Sequence, residues 1–124
     1  MSRSILVVED QPDNRKLVCW CLEDAGYEFE TVETGEAALA ALERNSFGLV
    51  LMDISLPGID GKETTRRMRA NPRFKDVPVL ALTAHAIADE AEDIMKSGVN
   101  GLLTKPLSEE DLLEAIAGYL PLDS

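Results

Sequence analysis

Three short runs of unbroken apolar residues, ILVV at 5–8, LVLM at 49–52 and VLAL at 79–82, constrain the fold of this chain more than any other feature. A strand that is apolar at every position has both faces covered, and helices cover both faces chiefly in parallel sheets. Helical patterns lie between the runs, and that alternation predicts βα crossover units. Strands are expected at 5–8, 28–32, 49–52, 79–82 and 101–103. The second, inside YEFETV, mixes charged with apolar residues and so belongs at a sheet edge. Five such units with right-handed crossovers predict an α/β doubly wound parallel sheet with five helices.

The helices are legible from their apolar spacing. Residues 13–25 carry Leu17, Val18, Cys21, Leu22 and Ala25 on one stripe, with Gly26 as a stop. Residues 35–44 place Ala38, Leu39 and Leu42 at helical spacing. The helix that Gly61 opens offers only Thr64 and Met68 as inward residues. Residues 87–96 are expected to turn Ile87, Ala91, Ile94 and Met95 inward. In the last helix Ser108 and Asp111 form a capping pattern ahead of Leu112, Leu113, Ile116, Ala117 and Leu120.

A chain of 124 residues, 45% apolar and 28% charged, is long enough to bury about two-thirds of its unfolded surface in one core. A single domain over 1–124 is expected, with no output domain attached. Twelve basic against 23 acidic residues give a net charge of -11, which argues against nucleic acid and anionic membrane as partners. The one basic concentration, Arg66, Arg67, Arg69, Arg73 and Lys75, reads as a solvated helix face and loop. No apolar run approaches a membrane span, and MSRS followed by ILVV leaves no signal-peptide core, so a cytoplasmic location is expected. Cys19 and Cys21 flank Trp20 two residues apart, where helical side chains point away from each other, so they read as unbridged thiols.

In doubly wound sheets the ligand crevice lies at the carboxyl ends of the strands, and the residues that follow each apolar run are those of a site. Glu9 and Asp10 follow ILVV, Asp53 follows LVLM, Thr83 follows VLAL, and Thr104 and Lys105-Pro106 follow GLL. Asp53 is expected to be the first residue past the sheet edge rather than part of the core. Two carboxylates about 4 Å apart repel by on the order of 4 kcal/mol at an effective dielectric near 20, so a cation is required. Oxygen ligands with no His or Cys cluster favour Mg²⁺ over zinc. An ionised Asp53 is then a nucleophile toward phosphorus, with Lys105 and Thr83 supplying a charge and a hydroxyl to phosphoryl oxygens.

Four segments in order, ILVVED, LVLMDISLPGIDG, LALTAHA and LLTKP, resemble the receiver domain of bacterial response regulators over essentially the whole chain. The resemblance implies the flavodoxin-like strand order 2-1-3-4-5. It implies Asp53 as phosphoacceptor, with Glu9, Asp10, Asp53 and the backbone carbonyl of Ser55 holding Mg²⁺ or Mn²⁺. Thr83 matches the switch hydroxyl, and Lys105 the phosphate-binding lysine ahead of a proline, Pro106, that is usually cis. The implied donor is a phosphohistidine on a sensor histidine kinase or a histidine phosphotransfer protein. The implied output is a protein target at the fourth helix, fifth strand and fifth helix, reached by a population shift when phosphorylation adds charge.

Three features modify that pattern. Leu102 stands where many receivers carry an aromatic switch residue. Ser55 and His85 occupy the two places that tune phosphoryl lifetime in the family. Leu17, Trp20 and Pro106 are expected at the face that docks the phosphodonor, with Trp20 near the active-site end of its helix; the bland alternative folds Trp20 against Tyr27 as peripheral core. A stand-alone regulator or phosphorelay shuttle is the leading reading, and a domain of a hybrid kinase or larger regulator the alternative. An aspartyl-nucleophile phosphohydrolase ranks lower, because Ser55 stands where the haloacid dehalogenase type needs a second Asp. A receiver-like interaction domain independent of phosphate is disfavoured by the complete Glu9, Asp10, Asp53, Thr83 and Lys105 set.

Overall fold

The apolar runs form the middle of a five-stranded parallel sheet in the order β2-β1-β3-β4-β5. The computed structural model describes residues 4–84 and 88–120. Its strands are β1 (Ser4–Val8), β2 (Glu28–Val32), β3 (Leu49–Asp53), β4 (Val79–Thr83) and β5 (Gly101–Thr104). They alternate with α1 (Pro12–Ala25), α2 (Gly35–Arg44), α3 (Gly61–Ala70), α4 (Ala88–Lys96) and α5 (Glu109–Tyr119). The mixed-composition strand β2 is at an edge, as its charges predict.

Successive strand side chains point to opposite faces, so each apolar run feeds two cores at once. Leu6, Val8, Val50, Met52, Val79 and Ala81 pack with Ala38, Ala41 and Leu42 of α2, Met68 of α3 and Ile94 of α4. Ile5, Val7, Leu49, Leu51, Leu80 and Leu82 pack with Val18, Cys21 and Leu22 of α1 and Leu112 and Ile116 of α5. Every residue of β3 and β4 is buried. This is why these strands tolerate no polar residue until their last position.

The helix ends follow their local chemistry. Pro12 opens α1, and Gly26 closes it at φ 89° in the left-handed region. Thr34, Asp60 and Ser108 cap α2, α3 and α5, their side chains accepting from the amides of Ala37, Glu63 and Asp111 at 3.0, 2.8 and 3.1 Å. Among the described residues no helix is long and apolar enough to cross a membrane. Cys19 is half-buried and Cys21 buried, both unbridged.

Four expectations are corrected by packing. Met95 is exposed, because one residue advances about 100° around a helix and the adjacent Ile94 already faces the sheet. Leu17 is exposed for the same reason beside the fully buried Val18. Thr65 joins Thr64 and Met68 in the interior of α3, its hydroxyl satisfied by the Gly61 carbonyl at 2.8 Å. Arg69 is not solvated with its basic neighbours. Its guanidinium donates to the carbonyls of Gly98 (2.9 Å), Phe74 (2.8 Å) and Lys75 (3.2 Å) and to Asn100 Oδ1 (2.9 Å), tying α3 to the loops before β4 and β5. Ile87 lies outside the described residues.

Candidate functional site

Sheet register decides which polar residues meet. Val8 pairs with Met52, Asp53 with Leu82 and Thr83 with Thr104, so the strands finish nearly level at their carboxyl edge. Glu9 and Asp10 leave β1 there. Asp53 ends β3, Thr83 ends β4, and Lys105 follows β5 with its amide donating to the Thr83 carbonyl at 2.7 Å.

Asp53 corrects the sequence expectation. It lies inside the sheet, paired with Leu82, and is 1% exposed. Burial of that carboxylate is supported by two donors on Oδ1, the Ser55 amide at 3.0 Å and the Lys105 ammonium at 3.3 Å. Gly61 closes the site from behind. A Cβ there meets the Asp53 carbonyl oxygen and comes within 2.8 Å of Ile54 Cα, so only glycine lets α3 start this close to the strand end.

Glu9, Asp10 and Asp53 each offer an oxygen, all within 4.8 Å of one another. Lys105 is also 3.1 Å from Glu9 Oε1. Glu9 has no exposed surface, and burial, reinforced by the neighbouring Asp53 carboxylate, pushes its carboxyl up to about 7. The Gln11 amide, 3.2 Å from Glu9 Oε2, and Lys105 pull the other way. Asp10 Oδ1 is buried and, among the described residues, has no hydrogen-bond partner. Three convergent carboxylates against one ammonium, an orphaned carboxylate oxygen and an all-oxygen donor set fit a hard divalent cation.

Thr83 is buried one position past Leu82, the register partner of Asp53. Ser55 is exposed at the rim. The Lys105-Pro106 peptide is cis, and Pro106 is exposed. Leu102 is partly buried against the core that α2, α3 and α4 cover. His85 lies outside the described residues. Trp20 is 58% exposed, too open for peripheral core, and Leu17 three residues earlier is exposed beside it. Trp20 is not at the active-site end of α1, however. It stands eight positions beyond Pro12, about 12 Å of helix rise. Two contributors escaped the sequence reading. Gly61 is visible there only as a helix opener, and Arg15, which bonds the Glu9 carbonyl, is one basic residue on a polar face.

The fold and the site together define a doubly wound α/β domain with an acidic triad and a lysine at the carboxyl edge of its sheet. Residues 5–117 match the response regulator receiver domain, and the chain belongs to that family. It is 43% identical over 121 residues to the sensor protein GacS of Pseudomonas syringae pv. syringae, covering 95% of this chain and 13% of that protein. The chain thus spans about an eighth of the length of the sensor kinases it matches. Among solved structures it is similar to the receiver domain of sensor histidine kinase PA1611 from Pseudomonas aeruginosa PAO1, which has a magnesium ion coordinated in its active site cleft. The TM-score is 0.90 at 33% identity, over 98% of this chain and 100% of that one. It is also similar to the Vibrio cholerae chemotaxis protein CheY4, with a TM-score of 0.90 at 31% identity over 97% and 100% of the two chains.

Proposed function

We propose that Asp53 accepts a phosphoryl group from a phosphohistidine on a sensor histidine kinase or histidine phosphotransfer protein, in a Mg²⁺-dependent reaction. The observation that carries this reading is the convergence of Glu9, Asp10 and Asp53 within 4.8 Å, with Lys105 bridging two of them. An Asp53 oxygen forms the new bond to phosphorus as the donor's P–N bond breaks, and the imidazole departs as the leaving group. Glu9, Asp10, Asp53 and the Ser55 carbonyl would hold the cation, which would screen the phosphoryl oxygens from the carboxylates; Mn²⁺ would suit the same ligands. Lys105 moves from its carboxylate pairs to a phosphoryl oxygen, and the Thr83 hydroxyl donates to another. By the resemblance to the family, Ser55 and His85 occupy the two sequence places that tune how long the acyl phosphate lasts before water hydrolyses it.

The added charge shifts the population of the α4, β5 and α5 surface that a downstream protein reads. With Leu102 in place of an aromatic, that response runs through aliphatic packing. Exposed Leu17 and Trp20, with Pro106, form the donor-docking face. The leading context is a cytoplasmic stand-alone regulator or phosphorelay shuttle acting through protein contacts. The 13% span within GacS favours a second context, a receiver domain within a hybrid kinase.

The test is incubation with acetyl phosphate and Mg²⁺, followed by intact mass. A gain of one phosphoryl group that is abolished by chelation and by Asp53→Asn supports the reading. Multiple-turnover hydrolysis of organic phosphates without a phosphorylated protein species overturns it in favour of a phosphohydrolase.

A further inference from the structure

The β1–α1 turn carries two of the three clustered carboxylates, yet its ladder support ends early. The last paired residues of β1 and β2 are Val8 and Val32, and the Glu9 amide makes one more bond, to the Val32 carbonyl at 3.0 Å. Beyond that point the Glu9 carbonyl accepts from Arg15 Nη1 at 3.2 Å. The same nitrogen donates to Glu33 Oε1 at 3.1 Å, just past the end of β2. A guanidinium Nη carries two hydrogens, so one nitrogen serves both acceptors.

We propose that Arg15 is a positioning residue for the Glu9 and Asp10 carboxylates, acting through the Glu9 carbonyl with Glu33 as its anchor. This rests on the Mg²⁺-dependent phosphoacceptor reading. The Glu9 carbonyl and the Asp10 amide share one planar peptide unit, so fixing that carbonyl fixes where the Asp10 Cα stands and narrows the directions its side chain can take. Asp10 depends on this, because its Oδ1 has no hydrogen bond of its own among the described residues. The base of Arg15 is secure: its amide bonds the Gln11 carbonyl at 2.9 Å in the first turn of α1. Its side chain is 25% exposed, while Glu33 is 66% exposed, so Glu33 aims the guanidinium and the solvated ion pair adds little stability. A lysine ammonium has hydrogens enough for both acceptors, but it is more strongly hydrated and sits on a stem of different length and shape, and so restores the bridge only in part.

The experiment is Mg²⁺ titration of the whole chain by isothermal calorimetry, beside the Mg²⁺ dependence of acetyl phosphate labelling. Arg15→Met is expected to weaken Mg²⁺ binding by roughly tenfold, the lower end of what loss of a supporting contact behind metal ligands costs. The Mg²⁺ concentration for half-maximal labelling rises by the same factor, and excess Mg²⁺ restores most of the rate. Glu33→Ala shifts both in the same direction by a smaller factor, the double variant is no worse than Arg15→Met, and Arg15→Lys recovers part of the affinity. A merely structural role lowers the melting temperature while leaving the Mg²⁺ dissociation constant within twofold of the parent, and that result overturns the proposal. If Arg15→Met does not fold, Glu33→Ala decides by the same criterion. A parent chain that binds no Mg²⁺ removes this proposal and the phosphoacceptor reading together. A parent that binds, with variants that bind equally, removes only the role of Arg15.

Discussion

The Lys105 ammonium stands 3.1 Å from Glu9 Oε1 and 3.3 Å from Asp53 Oδ1, so a single cation spans two buried carboxylates that arrive from different strands. Replacing it with methionine leaves those carboxylates facing each other with only the Ser55 and Gln11 amides as donors and no opposing charge. Lys105→Met is expected to destabilise the metal-free chain by roughly 1–3 kcal/mol at pH 8, less than for a fully buried pair because Glu9 can take a proton. The cost is smaller at pH 6, where that proton is already present. Urea unfolding at the two pH values checks both parts. Equal losses at pH 6 and 8 sink the explanation.

Glu9 sets a pH dependence of its own. Its carboxyl is pushed from an ordinary value of 4.5 up to about 7 in the fold, so the folded state holds the proton more tightly than the unfolded chain. That contribution to stability is complete below about pH 4.5 and declines as the pH rises through 7. The metal-free chain should therefore lose stability across this window relative to Glu9→Gln, by roughly 1–3 kcal/mol at pH 8. Mg²⁺ should restore the parent at pH 8 far more than the variant. Melting temperatures of both proteins at pH 5.5 and 8, with and without Mg²⁺, measure it.

Gly61 packs its Cα against the Asp53 carbonyl, and an added methyl has nowhere to go because the atoms it meets are backbone. Gly61→Ala is expected to cost about 1–3 kcal/mol of stability. It should also slow acetyl phosphate labelling by displacing the strand end that carries Asp53. A stable variant with unchanged labelling contradicts this.

Trp20 is more than half exposed on α1, so Trp20→Ala should change the unfolding free energy by well under 1 kcal/mol. As a docking anchor it should nonetheless raise the KM for a phosphorylated protein donor by about tenfold or more. Labelling by acetyl phosphate, which needs no docking face, stays as in the parent. An unchanged rate with the cognate donor removes the docking role.

The fold class and the gathering of Glu9, Asp10, Asp53, Thr83 and Lys105 at one sheet edge were legible because both depend on local pattern. Runs such as ILVV and LVLM show that both faces of a strand are covered, and the first polar residue after each run marks the sheet edge. Patterns of that kind need no knowledge of distant residues. Tertiary structure alone decided what depends on register and approach. Asp53 is still within the sheet because β4 runs alongside it as far as Leu82. Met95 faces out because Ile94 was taken in by the core, and Arg69 turned from a surface charge into a tie among four acceptors. Arg15, Glu9 and Glu33 become one bridge only when β1 and β2 end side by side. Periodicity shows which face a residue occupies, whereas distances between residues remote in the chain come from strand pairing and helix packing, and the chemistry of this site resides in those distances.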